Sequence, residues 1–135
     1  MVVKKIWFAD DRIYITTNME ETSWQSLLWY PRLQRATDEQ RSRYEIDDEG
    51  IRWDELDEDI SLESFWYDNP EPTGVALIFR KFPELNAAAI SRRLGMKQSL
   101  LAAYISGKKK PSDTQEMRIK NEIHALTKEL STVQF

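Results

Sequence analysis

The hydrophobic positions in the first part of the chain fall in short runs rich in β-branched and aromatic residues, as is typical of strands. Val2 to Phe8 and Arg12 to Thr17 are two such runs, and the short polar turn Ala9-Asp10-Asp11 separates them. This pattern predicts a hairpin. A third strand is expected around Glu21 to Gln25.

Two short helices are predicted next. Pro31 follows the apolar run Leu27-Leu28-Trp29-Tyr30 and suits the first turn of a helix from Pro31 to Ala36. Thr37-Asp38-Glu39-Gln40 fits a capping box, in which the Thr and Gln side chains satisfy free backbone donors. This box predicts a second helix that reaches about Tyr44.

A second hairpin is predicted around a turn at Asp47 to Gly50, followed by the acidic segment WDELDEDIS, Trp53 to Ser61. We attribute the carboxylates of this segment to caps and a solvated turn. Ser61 is expected to cap a last short helix through Trp66. These elements predict a small α+β domain of short antiparallel strands and short helices. Its core is expected to hold Trp7, Trp24, Trp29, Tyr30, Trp53 and Trp66.

A composition change follows at Asp68 to Gly74, where two prolines and a glycine disfavour both helix and sheet. We therefore predict a small acidic α+β domain over residues 1–68, a linker over 69–74 and a helical domain over 75–135. The first helix of the second domain is expected from Val75 to Phe82, before Pro83.

The segment from Asn86 to Ser112 predicts two helices joined by a tight turn. Asn86 suits the N-cap of the first helix, and Gly95 can take the left-handed conformation that closes it. The second helix is expected from about Lys97 to Ser106, and Gly107 ends it. Two helices joined this closely must cross steeply, as in a helix-turn-helix.

The C-terminal helix is predicted to start at a second capping box, Ser112-Asp113-Thr114-Gln115. Its apolar residues follow an a/d spacing, and packing onto the preceding helices is preferred to a coiled coil. The stripe also suits a homodimer, since helix-turn-helix proteins commonly meet DNA as pairs. The stripe consists of Ile119, Ile123, Leu126, Leu130 and Val133.

Composition and charge change this picture at the level of function. The net charge of −4 combines 8 basic and 18 acidic residues in 1–72 with 11 basic and 5 acidic residues in 73–135, that is −10 and +6. The basic half holds the predicted helix-turn-helix, which suits a nucleic-acid partner. There is no cysteine and no long apolar run, so we expect a cytoplasmic protein without disulfides or membrane spans.

The sequence NAAAISRRLGMKQSLLAAYISGKKKPS resembles the helix-turn-helix of the lambda-repressor-like (XRE, Cro/C1-type) family. The resemblance rests on Ser91 inside the first helix, Gly95 in the turn and Gly107 before the basic loop that ends at Pro111. It implies an all-α DNA-binding domain that contacts double-stranded DNA. The implied base readers are Lys97, Gln98 and Ser99, and the implied phosphate contacts are Asn86, Arg92, Arg93, Lys108, Lys109 and Lys110. Where the family often has polar readers, this chain has apolar residues, of which Leu100 or Ala103 can touch thymine methyls.

The N-terminal part resembles a small bacterial domain of unknown function over about residues 3–66. The resemblance rests on KKIWFADDRIYI, on LLWYPRLQRAT followed by EQR, and on WDELDEDIS. Members of that family are often encoded beside toxin-like genes, which implies an antitoxin or regulator. The acidic surface of this domain suits a basic protein partner such as a toxin.

No nucleophile–base constellation and no phosphate-binding glycine loop is present, so we expect no enzyme activity, no cofactor and no metal site. His124 is the only histidine and is assigned a structural role. The expected function is a sequence-specific DNA-binding transcriptional regulator, such as an antitoxin-type autorepressor. The alternative is a protein-interaction or dimerisation module whose helix-turn-helix does not read DNA, because Leu100, Ala102, Ala103 and Ile105 give that helix an apolar face.

Overall fold

The computed structural model of the chain describes residues 2–134. The chain divides into two compact units, Met1–Glu71 (unit 1) and Pro72–Phe135 (unit 2). Among the described residues, no helix has both the length and the apolar character that a membrane span requires.

The first sheet of unit 1 has three antiparallel strands, β1 (Val3–Ala9), β2 (Arg12–Thr17) and β3 (Thr22–Ser26), in the order β1-β2-β3. The predicted hairpin and third strand are therefore present. Asp10 and Asp11 take φ values of 52° and 61°, which form the tight turn between β1 and β2. The sheet turns Ile13 and Ile15 into the core, where both are 0% exposed.

The other face of this sheet carries an aromatic row. Trp7, Tyr14 and Trp24 lie opposite one another on the three strands. The rings of Trp7 and Tyr14 stack with their centroids 5.3 Å apart. Lys5 lies over the Trp7 ring at 4.9 Å, and Arg12 lies over the Trp24 ring at 3.7 Å. These cross-strand and cation–π contacts stabilise the sheet on its outer face.

Short helices connect the two sheets of unit 1. A 3-10 helix, Leu27–Trp29, leads into α1 (Pro31–Gln34), which has Pro31 at its first position. The capping box predicted at Thr37 is present and starts α2 (Asp38–Ser42). Both helices end earlier than the sequence predicts. At the end of α1 the guanidinium of Arg41 donates to the carbonyl oxygens of Leu33 and Gln34.

The second sheet contains β4 (Glu45–Ile46), β5 (Gly50–Trp53) and β6 (Glu58–Ser61) in antiparallel order. The acidic segment after Trp53 was predicted to be a solvated turn. This prediction is wrong for the second half of the segment, which forms strand β6. Residues 58–61 pair with β5 and turn Ile60 into the core, 0% exposed. Only that one apolar side chain marks the strand, so its charged neighbours hide it. A 3-10 helix, Leu62–Trp66, follows with Ser61 as its N-cap, as predicted.

The core of unit 1 lies between the two sheets and these helices. Trp53 is fully buried, and its indole N–H donates to the carbonyl oxygen of Arg41. Three of the predicted core aromatics lie outside the core. Trp7 and Trp24 are on the outer face of the first sheet, and Trp66 is 43% exposed while Leu62 and Phe65 of the same short helix are buried. The buried cluster is formed by Ile13, Ile15, Leu27, Leu33, Ile51, Trp53, Ile60, Leu62 and Phe65.

Residues 69–74, predicted as a linker, are divided between the two units. Asn69 is buried, and the Pro70 carbonyl oxygen accepts hydrogen bonds from the Ser26 N–H and the Trp29 indole N–H in unit 1. Thr73 caps the first helix of unit 2, which begins at Gly74. This segment therefore forms defined hydrogen bonds with unit 1 and a helix cap in unit 2.

The described part of unit 2, residues 72–134, contains four helices, α3 (Gly74–Lys81), α4 (Ala87–Leu94), α5 (Gln98–Ser106) and α6 (Asp113–Ser131). Asn86 and Ser112 act as N-caps of α4 and α6, as the sequence predicts. One small core joins the four helices and is formed by Val75, Phe79, Ile90, Leu101, Tyr104 and Ile119.

The apolar stripe of α6 packs on this core only in its first half. Ile119 is fully buried and Ile123 is partly buried against the cluster. Leu130 and Val133 are 64% and 51% exposed, so the predicted packing is wrong for the last turns.

Candidate nucleic-acid interface

The joint between α4 and α5 is a three-residue turn that begins with a glycine in the left-handed conformation. Gly95 has φ 64°, and its N–H and that of Met96 bind carbonyl oxygens in the last turn of α4. Ser91, 1% exposed, donates to the Ala88 carbonyl oxygen. Its small side chain permits close packing at this point. The turn and α4 therefore hold the start of α5 in a defined position.

The first turn of α5 is open to solvent. Lys97, Gln98 and Ser99 are exposed, and the N-cap Lys97 makes no side-chain capping hydrogen bond. A helix start without a side-chain cap presents backbone N–H groups and a positive dipole end. All three predicted base readers therefore lie together on one accessible helix end.

The rest of α5 separates cleanly into inner and outer residues. Leu101 and Tyr104 are buried, and Leu100 and Ile105 pack partly against the same core. The outer side beyond the first turn therefore carries small side chains. It consists of exposed Ala102 and Ser106 with half-buried Ala103. Leu100 and Ile105, two of the apolar residues that suggested a protein-binding face, are therefore partly buried in the core of unit 2.

The basic loop after α5 is fixed by backbone bonds. Gly107 has φ 89°, and the N–H of Lys109 donates to the Ala103 carbonyl oxygen at 3.2 Å. Pro111 is buried at the far end of the loop. The side chains of Lys108, Lys109 and Lys110 are exposed. An ordered backbone therefore presents three adjacent cations beside the end of α5.

The two arginines of α4 have different environments. Arg92 is exposed. Arg93 donates from Nε to Glu122 at 2.7 Å and from Nη2 to Glu129 at 2.8 Å, so it connects α4 to α6. Its hydrogen bond to Glu129, followed by that to Glu122, raises the pKa of the guanidinium above its ordinary value. Arg93 thus has two carboxylate partners within unit 2, and the phosphate contact expected for it stays a prediction.

Asn86, another expected phosphate contact, uses its side-chain oxygen to cap α4. The oxygen accepts from the Ala89 N–H at 3.0 Å. Asn86 is exposed. The cap orients this end of α4 but leaves less of the side chain for a ligand.

Three charged residues that the sequence analysis did not single out position these helices. Arg118 donates to the Leu94 carbonyl oxygen at the end of α4 at 2.7 Å. Arg80 reaches the Ile105 carbonyl oxygen near the end of α5. Glu116 accepts from the Val75 N–H at the start of α3. Each charge complements the helix end that it meets. Only the folded arrangement brings these distant residues together.

An apolar groove of about 720 Å³ lies between α3 and the second half of α6. Phe82, which follows α3, is 46% exposed there, and Leu130 of α6 lines the same groove. His124, assigned a structural role, is exposed and also lines it. The groove is separate from the first turn of α5.

Within residues 2–134, no group of three or more histidine, aspartate or glutamate side chains is arranged to hold a metal ion. The acidic residues after Trp53 surround Arg52, which binds Asp54 at 2.7 Å, Asp57 at 3.2 Å and Asp59 at 3.4 Å. The hydrogen bond to Asp54, followed by that to Asp57, raises the pKa of Arg52. These carboxylates are ion-pair partners.

Unit 1 is by its architecture a small α+β domain built from two three-stranded antiparallel sheets. Residues 3–71 match the family described as Protein of unknown function (DUF2442). The chain belongs to this family. The match agrees with the domain of unknown function that residues 3–66 resemble. Searches of curated proteins and of solved structures gave no match.

Proposed function

We propose that unit 2 is a lambda-repressor-like helix-turn-helix domain and that the protein is a sequence-specific DNA-binding regulator. The observation that carries this proposal is the exposed first turn of α5, with Lys97, Gln98 and Ser99, on a helix held by the turn at Gly95. The exposed lysines 108–110 support it, since they follow directly on the same helix. No enzymatic role is proposed.

In this function, the start of α5 enters the major groove. Gln98 can pair with both hydrogen-bonding positions of an adenine edge, and Lys97 can donate to guanine. The small outer residues Ala102 and Ala103 allow the helix backbone to approach the bases, where their methyl groups can contact thymine methyls. The lysine loop and Arg92 contact phosphates, which adds affinity without sequence preference.

The test is a selection of bound duplexes from a randomised DNA library by the full-length protein, followed by affinity measurement on the selected site. We expect a defined site, and Gln98→Ala is expected to weaken binding to it by about 1–3 kcal/mol while relaxing the preference at one base pair. Binding to unselected DNA should change little. If the protein enriches no DNA sequence from the library even at low salt, the proposal is contradicted.

Lys128→Ala provides the matched control for the basic residues. Lys128 is exposed on α6 and lies outside the predicted contact set. Its removal changes the net charge by the same amount as Lys109→Ala. If the two substitutions weaken binding equally, general charge explains the affinity and the proposed interface is wrong.

The groove between α3 and α6 favours a second candidate function, self-association of unit 2. The stripe of α6 continues at the same spacing beyond the core, and Leu130 remains exposed beside the groove. An exposed apolar surface next to a groove on the same molecule suits a two-fold pair, in which each copy fills the groove of the other. A dimer would also serve DNA binding, since paired readers contact two half-sites.

Sedimentation velocity separates these functions. Leu130→Lys is expected to convert a dimer to a monomer if the groove forms the interface, whereas Lys128→Ala leaves the mass unchanged. If the protein is a dimer but selects no DNA sequence, the result favours the alternative function, a protein-interaction module that does not read DNA. An antitoxin-type autorepressor further requires a basic protein partner, for which unit 1 offers a surface.

A further inference from the structure

A cleft of about 870 Å³ in unit 1 lies outside every site described above. It is lined by Val2, Asp48, Glu49, Leu62, Glu63 and Trp66, together with Ser61. Leu62 and Phe65 anchor the short 3-10 helix in the core, and this places Trp66 on the outside with 43% of its surface exposed. A core-anchored helix therefore holds a large aromatic ring in solvent.

The chain has five tryptophans, all in unit 1, and Trp66 differs from the other four. Trp7 and Trp24 each have a cation of their own sheet over the ring. Trp29 and Trp53 are buried, and their indole N–H groups donate to backbone carbonyl oxygens. Within residues 2–134, no cation lies over the Trp66 ring and no hydrogen bond involves its indole N–H.

The carboxylates around Trp66 also lack cationic partners. Asp48, Glu49 and Glu63 form no ion pair within residues 2–134, whereas the carboxylates near Arg52 and Arg43 do. Unit 1 has 18 acidic and only 8 basic residues, so it cannot neutralise them all. The cleft thus combines an apolar floor, an open indole face and unpaired negative charge.

We propose that this cleft docks a basic segment of a partner protein, with an arginine or lysine side chain over Trp66 and beside Glu63 and Asp48. The outer face of the first sheet already contains this chemistry, since Arg12 lies 3.7 Å from the Trp24 ring centroid. A guanidinium can stack on an indole and bind a carboxylate at the same time. Exposed tryptophans that meet arginines commonly dominate the energy of an interface. This inference is independent of DNA binding.

The test uses the full-length protein and a blocked peptide, GRLRRG, at low salt. We expect saturable shifts of the Trp66 indole N–H signal in ¹H–¹⁵N spectra, larger than those of the other four tryptophans. Trp66→Phe assigns the signal. A peptide with citrulline in place of arginine removes the charge but keeps the shape, and it should lose most of the binding.

Trp66→Ala is expected to lower the affinity for the peptide about tenfold or more, because aromatic residues at the centre of an interface contribute most of its binding energy. Glu63→Gln should weaken it several-fold. Glu45→Gln is the matched control, because Glu45 is an exposed carboxylate of the same unit that does not line the cleft. If Trp66→Ala alters the fold, the double variant Asp48→Asn with Glu63→Gln is used in its place, and it should lower the affinity for the peptide.

Equal weakening by Glu45→Gln and Glu63→Gln would show diffuse attraction to an acidic surface and would overturn the proposal. A loss of dimer on Trp66→Ala would also overturn it, since a second copy would then occupy the cleft. Affinity for the selected DNA site should stay unchanged in Trp66→Ala. The experiments therefore test peptide docking at the cleft and DNA binding by unit 2 separately.

Discussion

Two glycines are required for different physical reasons. A Cβ on Gly50 would lie 2.6 Å from the backbone carbonyl oxygen of Ile60 on β6, so steric contact excludes a side chain. Gly95 has open space around it, but its φ of 64° strains any residue with a Cβ. The strands therefore meet closely at Gly50, whereas the backbone conformation alone selects glycine at Gly95.

Substitution of these glycines should destabilise different units. We expect Gly50→Ala to cost about 1–3 kcal/mol through displaced backbone, and Gly95→Ala to cost about 1 kcal/mol through conformational strain. All tryptophans lie in unit 1, so their fluorescence in urea follows that unit, while far-UV circular dichroism follows the helices of unit 2. A fluorescence change caused by Gly95→Ala would contradict this assignment.

Glu20 occupies the left-handed region without being a glycine. Its φ is 61°, in the turn between β2 and β3, and its side chain pairs with the exposed Lys4. Glu20→Gly should stabilise unit 1 by about 0.5–1 kcal/mol, since relief of backbone strain exceeds the small contribution of an exposed ion pair. Fluorescence-monitored urea unfolding measures the change. Glu21→Gly, one residue later, should destabilise the unit, and a stabilising result there would argue against strain as the cause.

At the scale of elements, α4 and α6 are connected by the double ion pair of Arg93. Because the pKa of Arg93 is raised, the contribution of its guanidinium to stability is fully present below its unfolded pKa and is lost as the pH rises through the folded pKa, at strongly alkaline pH. Salt therefore tests the connection better than pH. Arg93→Ala should lower the thermal midpoint of unit 2 slightly, and the loss should shrink in 1 M NaCl because screening weakens exposed pairs.

Arg92→Ala is the matched substitution one residue earlier. It should leave the thermal midpoint unchanged and reduce DNA affinity more than Arg93→Ala does, since Arg92 is exposed and Arg93 is paired. Circular dichroism and DNA titration of both variants give the comparison. If Arg93→Ala reduced DNA affinity more than Arg92→Ala, Arg93 would be the phosphate contact of the two.

The elements that sequence predicted well are those with local signals. The capping box at Thr37, the N-cap at Ser112 and the glycine at Gly95 depend on neighbours a few residues away. Strand β6 was missed because only Ile60 among its residues is buried by the fold. Exposure of Trp66 and pairing of Arg93 were also missed, since both depend on contacts between distant segments.

At the scale of the whole molecule, charge is strongly divided between the units. Residues 1–71 carry −10 and residues 72–135 carry +6, from the same counts of acidic and basic residues given above. A whole-chain pI of about 5.1 conceals the basic unit. The division suits two different partners, a polyanion for unit 2 and a cationic protein segment for unit 1. The solvent-exposed start of α5 was predicted from sequence, and its role as a base reader stays a prediction, whereas the cleft beside Trp66 was not predicted.

The central claim is that unit 2 binds duplex DNA through the start of α5 and the lysine loop. The most direct measurement is the dependence of DNA affinity on salt concentration for the wild type and for Lys108→Ala, Lys109→Ala, Lys110→Ala combined. Each lost phosphate contact should reduce the slope of log affinity against log salt by about 0.9, so the triple variant should lose up to about 2.7. An unchanged slope, or an equal reduction by Lys128→Ala for each charge removed, would contradict the account.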